Sequence, residues 1–160
     1  MGRRIQRQTF SAEAGMTLLE LIITCAILLV LSSAALPIAK YSVVRRKETE
    51  LRRDLREMRD AIDRYKDAAD RNQIRVEIGS EGYPPDLETL VTGVQLGTSS
   101  DKKIRFLRKV PVDPITGRAE WGLRAVQDDP NSTSWGGKNV FDVYSKSTGT
   151  AQDGTRYSDW

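Results

Sequence analysis

From Leu21 to Ala39 the chain reads LIITCAILLVLSSAALPIA, a run of 19 positions without a charged residue. As a helix rising about 1.5 Å per residue it spans roughly 28 Å, close to the roughly 30 Å hydrocarbon core of a bilayer. The polar stretch before it, MGRRIQRQTFSAEAG, sets Arg3, Arg4 and Arg7 against Glu13. Positive charge is retained on the cytoplasmic side, so the amino terminus is expected inside and the residues after Lys40 outside.

Three readings of this segment compete. Ser33-Ala34-Ala35 offers a small-residue cleavage site for an ordinary secretory signal, which would leave a chain beginning at Leu36. The segment can equally be an uncleaved single-pass anchor. A third reading rests on Gly15-Met16-Thr17-Leu18-Leu19-Glu20, a glycine closing the polar leader and then an apolar run broken by one carboxylate at its fifth residue. An acid in a membrane helix costs about 2.5 to 3.5 kcal/mol at the centre and less near the interface, so it calls for a partner. Cleavage after Gly15 creates one, the new amine of Met16.

Composition narrows the chemistry. Among 160 residues there is no histidine, and Cys25 is the only cysteine, which excludes a histidine-based triad, a His or Cys zinc site and an intrachain disulfide. Cys25 reads as a small apolar residue. The 25 Lys and Arg are interleaved with 22 Asp and Glu, giving a net charge of +3 without a basic stripe, so nucleic-acid binding has no support. No paired acid-base cluster stands out, and an enzyme is not expected.

Between Tyr41 and about Asn72 there is no Gly or Pro. Val44, Leu51, Leu55, Met58, Ile62, Tyr65 and Ala69 recur at helical spacing, so one face of a continuous helix is apolar. Charges solvate the other faces, in helpful i, i+4 pairs such as Asp60 with Arg64 and unhelpful ones such as Asp63 with Asp67. The stripe is expected to pack on the chain's own carboxyl-terminal part. Pro37 removes one helical N–H and is expected to kink or locally melt the helix near Ala34 to Pro37.

Gly79 to Pro85 breaks the pattern. Asp86 can cap a short helix that ends near Gly93, and Asp113-Pro114-Ile115-Thr116-Gly117 reads as a turn. Glu120 to Val126 and Asn139 to Ser145 read as two strands of a small antiparallel sheet. Asn131-Ser132-Thr133 reads as a turn, and Trp135, beside Gly136 and Gly137, as a buried aromatic. Trp121 and Trp160 read as core or edge packing. The fold class is therefore α+β, a long amino-terminal helix, half membrane-spanning and half amphipathic, packed on a small antiparallel sheet.

The segment GMTLLELIITCAILLVLSSAALP resembles the leader and helix of type IV pilins and type II secretion pseudopilins. The resemblance implies a prepilin peptidase cut between Gly15 and Met16 with methylation of the new terminus. It also implies that Glu20 neutralises the terminal amine of a neighbouring subunit, and that Pro37 is the proline common in this helix. Met16 stands where phenylalanine usually follows the scissile bond. The pieces KVPVDPITG, WGLR, NVFDVYS and DGTRYSDW resemble the major, G-type pseudopilin, and the lack of paired cysteines favours that branch over many type IV pilins.

On this resemblance the chain divides into a cleaved leader at 1–15, a transmembrane assembly helix at 16–40, an amphipathic spine at 41–78 and a periplasmic α+β head at 79–160. The partners implied are further copies in a helical fibre, prepilin peptidase, minor pseudopilins, an inner-membrane assembly platform and lipid before assembly. Many relatives hold calcium in the last loop, which makes Asp153 and Asp159 candidate ligands here. Read from the residues alone, Asp153 makes a turn with Gly154. The alternatives are a type IV pilus or competence pilin, and a secreted or membrane-anchored binding domain.

Overall fold

A computed structural model describes residues 17–97 and 102–160, and within the long helix it leaves the side chains of 34–39 undescribed. The architecture is α+β and pilin-like, a long amino-terminal helix with small antiparallel sheets. Helix α1 covers Leu18–Asp70 and its assignment continues through Pro37, so the expected local melting is not seen. The chain divides into two compact units between Tyr41 and Ser42.

In the second unit the apolar stripe of α1 forms the core. Leu51, Leu55, Met58, Ile62, Tyr65 and Ala69 are buried, as the spacing predicts, while Val44 at the stripe's start is exposed. Leu90, Phe106, Leu107, Trp121, Val140, Val143 and Tyr157 complete the cluster. The helix ends in a Schellman arrangement: Asn72 takes a left-handed φ of 53°, Asn72 N–H reaches Ala69 O at 2.9 Å and Gln73 N–H reaches Ala68 O at 2.9 Å.

One buried group goes against the pattern. Asp54 is 4% exposed, and the charged partner it has is Arg53, 3.3 Å from its Oδ1. Burial pushes its carboxyl above the ordinary value of 3.8, and Glu50 and Glu57 add to this against the pull of Arg53. The folded state thus holds the proton more tightly than the unfolded chain. Stability from this group is present below the ordinary carboxylate value and is lost as pH rises through the raised one. Asp54→Asn keeps the shape without the charge, so at neutral pH it is expected to raise the melting midpoint. At pH 3 the two proteins should melt alike.

Helix α2, Leu87–Thr92, starts as expected: Asp86 Oδ1 accepts from Thr89 N–H at 2.7 Å. It stops at Gly93, whose φ is 79° and where a Cβ would lie 2.5 Å from Ile104 O. Both glycine properties are needed there. A two-residue ladder unforeseen in the sequence follows, β1 (Val94–Gln95) antiparallel to β2 (Lys103–Ile104). Strands this short carry no period-2 signal. Leu90 O accepts from both Phe106 N–H and Leu107 N–H, at 3.0 Å each, tying the next segment to α2.

The turn at Asp113 forms around a fully buried carboxylate. Its Oδ1 accepts from Ile115 N–H at 2.7 Å and its Oδ2 from Ser145 Oγ at 2.6 Å. Beyond it β3 (Trp121–Arg124) pairs antiparallel with β4 (Asp142–Ser145), Gly122 standing opposite Tyr144. Both strands are shorter than expected. Ala125 N–H turns to Asp128 Oδ2 at 2.7 Å, Val126 N–H to Asn139 Oδ1 at 3.0 Å, and Val140 N–H to Pro84 O at 2.8 Å, so side chains and loops take the bonds that would extend the ladder. Trp121 is buried. Trp135 is not: it is 40% exposed, held at its edge by Nε1–H donating to Asn139 O at 2.7 Å.

Candidate assembly and processing segment

Thr17 and Glu20 open the helix together. Glu20 N–H donates to Thr17 Oγ1 at 3.2 Å, and Leu21 N–H to Thr17 O at 3.1 Å, so Thr17 is the helix cap and Glu20 its third residue. The T-x-x-E spacing of Thr17 and Glu20 is the signal in the sequence that carries this cap. Gly15 and Met16, the expected processing residues, lie outside the described residues.

Beyond the cap the helix is apolar on every side. Ten large apolar residues between Leu18 and Leu31 are 50% to 77% exposed, and five of them, Ile27 to Leu31, are consecutive. At about 100° per residue five neighbours cover the whole circumference, and such a helix needs apolar surroundings. Two of its hydroxyls turn back onto the helix: Thr24 Oγ1 donates to Leu21 O at 2.9 Å and Ser33 Oγ to Val30 O at 2.7 Å. Cys25 is exposed and in no disulfide. The Glu20 carboxylate is exposed and has no hydrogen-bond or ion-pair partner among the described residues. It is the one group in the described apolar segment with an unanswered charge.

Among the described residues no helix is long and apolar enough to cross a membrane. The uncharged run continues to Ala39 in the sequence, but the described side chains stop at Ser33. About 20 Å of helix from Leu21 to Ser33 falls short of a roughly 30 Å core. The side chain of Pro37 is among those not described.

In the second unit the last residues are tied to α1 by groups that sequence reading did not single out. Arg59 Nε donates to Asp142 Oδ1 at 2.7 Å, and its Nη2 to Val143 O at 3.0 Å and Trp160 O at 2.8 Å. Arg52 stacks 3.8 Å from the Trp160 ring centroid and pairs with Asp153 Oδ2 at 3.0 Å. Glu48 Oε1 accepts from Tyr157 Oη at 3.1 Å and Gln152 N–H at 2.9 Å. Burial, with the Glu48 carboxylate, holds the Tyr157 phenol above its ordinary range.

Asp153 is fully employed. Its Oδ1 accepts from the Thr155 N–H at 2.9 Å and from the Thr155 hydroxyl, which lower its carboxyl below the ordinary value together with Arg52 on its other oxygen. Asp159 Oδ1 accepts from Ser158 Oγ at 3.1 Å, and no interaction brings the two aspartates together. Among the described residues no three His, Cys, Asp or Glu side chains are grouped to hold a metal ion. With a guanidinium on one candidate oxygen, this donor set does not fit the six to eight oxygens calcium takes.

Residues 10–36 match the family described as Prokaryotic N-terminal methylation motif. The chain therefore carries a prepilin-type amino-terminal motif, whose range includes Gly15, Met16 and Glu20. Neither the curated proteins nor the solved structures gave a match.

Proposed function

We propose that this chain is a structural subunit of a type II secretion pseudopilus, cut by prepilin peptidase between Gly15 and Met16 and polymerised through α1. The observation that carries this reading is the prepilin-type motif lying on a helix that is apolar all round, with the unpartnered carboxylate of Glu20 near its start. The apolar faces leave lipid and pack on the same faces of other copies. Glu20 takes the Met16 amine of a neighbour, and Pro37 gives the packed helix local play. The leader stays in the cytoplasm and the head faces the periplasm, following the arginines of the leader. The single cysteine favours a pseudopilin over a pilin whose last loop is closed by a disulfide.

The test is the intact mass and amino-terminal sequence of protein recovered from membranes of a host carrying prepilin peptidase. A chain beginning at methylated Met16 is expected. A chain beginning at Leu36 would make this a secreted domain, and one retaining residues 1–15 would make it a simple anchor; either result overturns the reading.

A further inference from the structure

The segment from Ala151 to Trp160 returns to α1 through a closed ring of four contacts. Arg52 pairs with Asp153 Oδ2 at 3.0 Å, and Asp153 Oδ1 accepts from the Thr155 hydroxyl. That hydroxyl in turn accepts from Trp160 Nε1–H at 2.7 Å, and the Trp160 ring centroid lies 3.8 Å from the Arg52 guanidinium. The turn that sets Asp153 beside Thr155 is fixed separately, by Ala151 N–H on Thr155 O at 2.8 Å and Gly154 N–H on Ala151 O at 3.0 Å. Arg52 and Asp153 are each about half exposed, so their ion pair alone would hold little. In a ring each contact fixes a partner of the next.

The ring needs a flat cation. A guanidinium presents its edge to a carboxylate and its face to an indole at the same time, whereas a point charge such as an ammonium or a metal ion has no face to lay on the ring. The other acids at this loop are answered from within the chain. Glu48, one turn before Arg52 on α1, accepts from Gln152 N–H and the Tyr157 hydroxyl, and Asp159 accepts from Ser158 Oγ.

We infer that Arg52 is the cation that closes this loop, in the place where the family resemblance implies calcium, and that the second unit keeps its last residues on α1 without a divalent ion. The inference concerns the second unit alone and stands whether or not copies assemble into a fibre. A loop closed in this way is indifferent to chelator, which would open one closed by a bound metal ion.

The test is amide hydrogen exchange of the full chain in detergent, read in peptides spanning 150–157, because loss of the ring opens the loop locally. Wild-type exchange there is expected to be the same in excess EDTA and in about 1 mM calcium, the weak end of the range for extracellular calcium modules. In EDTA, Arg52→Gln should speed exchange of these peptides by about threefold to tenfold and leave those of α2 unchanged. Arg52→Lys, which keeps the charge without the flat face, should recover only part of this. Asp153→Asn enters the same ring from the loop side and should have a similar effect, and joining it to Arg52→Gln should add little, since either change alone opens the ring. Wild-type protection that rises with calcium would overturn the inference by showing a metal site. So would wild-type exchange in Arg52→Gln, or losses in the two single variants that simply add.

Discussion

Replacing Glu20 with lysine is expected to abolish fibre formation while leaving the leader removable. The carboxylate sits in the first turn of α1, exposed, and its own backbone N–H is already satisfied by Thr17. Nothing else from Leu18 to Ser33 carries a charge, so in an assembled fibre the Met16 amine of a neighbour has no other anion on this segment. Lysine puts two cations where one ion pair belongs. If the pair offsets even the about 3 kcal/mol cost of one charge in a membrane helix, its loss lowers assembly roughly a hundredfold. Glu20→Gln keeps hydrogen bonding without charge and should fall between. Fibre yield by microscopy, alongside intact mass to confirm the cut at Gly15, reads both steps. Wild-type yield from Glu20→Lys would remove this residue from assembly.

The second large effect lies in the head. Gly122→Ala is expected to destabilise the second unit by about 1 to 3 kcal/mol, the usual cost of overpacking. A Cβ at Gly122 would stand 2.2 Å from Cζ of Tyr144, the residue opposite it in the β3–β4 register. The ring cannot easily step aside. Its hydroxyl donates to Thr133 O at 3.2 Å, and the Arg124 guanidinium lies 4.2 Å from its centroid. Urea melts of Gly122→Ala, Tyr144→Ala and the double variant form the check. Because the clash exists only when both side chains are present, the double variant should be more stable than the sum of the singles predicts. Additive losses would show that the glycine is not held open by the ring.

The spine of the fold was legible because it is periodic. Leu51 through Ala69 repeat at helical spacing over five turns, and Asp86 and Gly93 carry cap chemistry that acts within a few residues. What the sequence hides is anything decided by distant partners. Val143, Tyr144 and Ser145 are all buried, against any alternation, because β4 is covered on both faces, one by the core and one by the loop that holds the Tyr144 hydroxyl. Arg59 looks like one more solvating charge, yet it joins α1 to Asp142, 83 residues away. Asp153 looks like a turn residue or a metal ligand, and only the approach of Arg52 shows that its second oxygen is taken as well as the first. In the candidate site, Glu20 could be picked out by its isolation in an apolar run. Its unpartnered state could not, since that depends on the Thr17 cap and on where the neighbouring hydroxyls point.

Those hydroxyls bear on how a copy can pack. Thr24 and Ser33 turn their polarity onto the carbonyls behind them, so at those two positions the helix offers a neighbour chiefly dispersion contacts. With large side chains on every side, its ridges can enter a neighbour's grooves at more than one rotation. The choice among such fits then falls to Glu20, the one charge between Leu18 and Ser33.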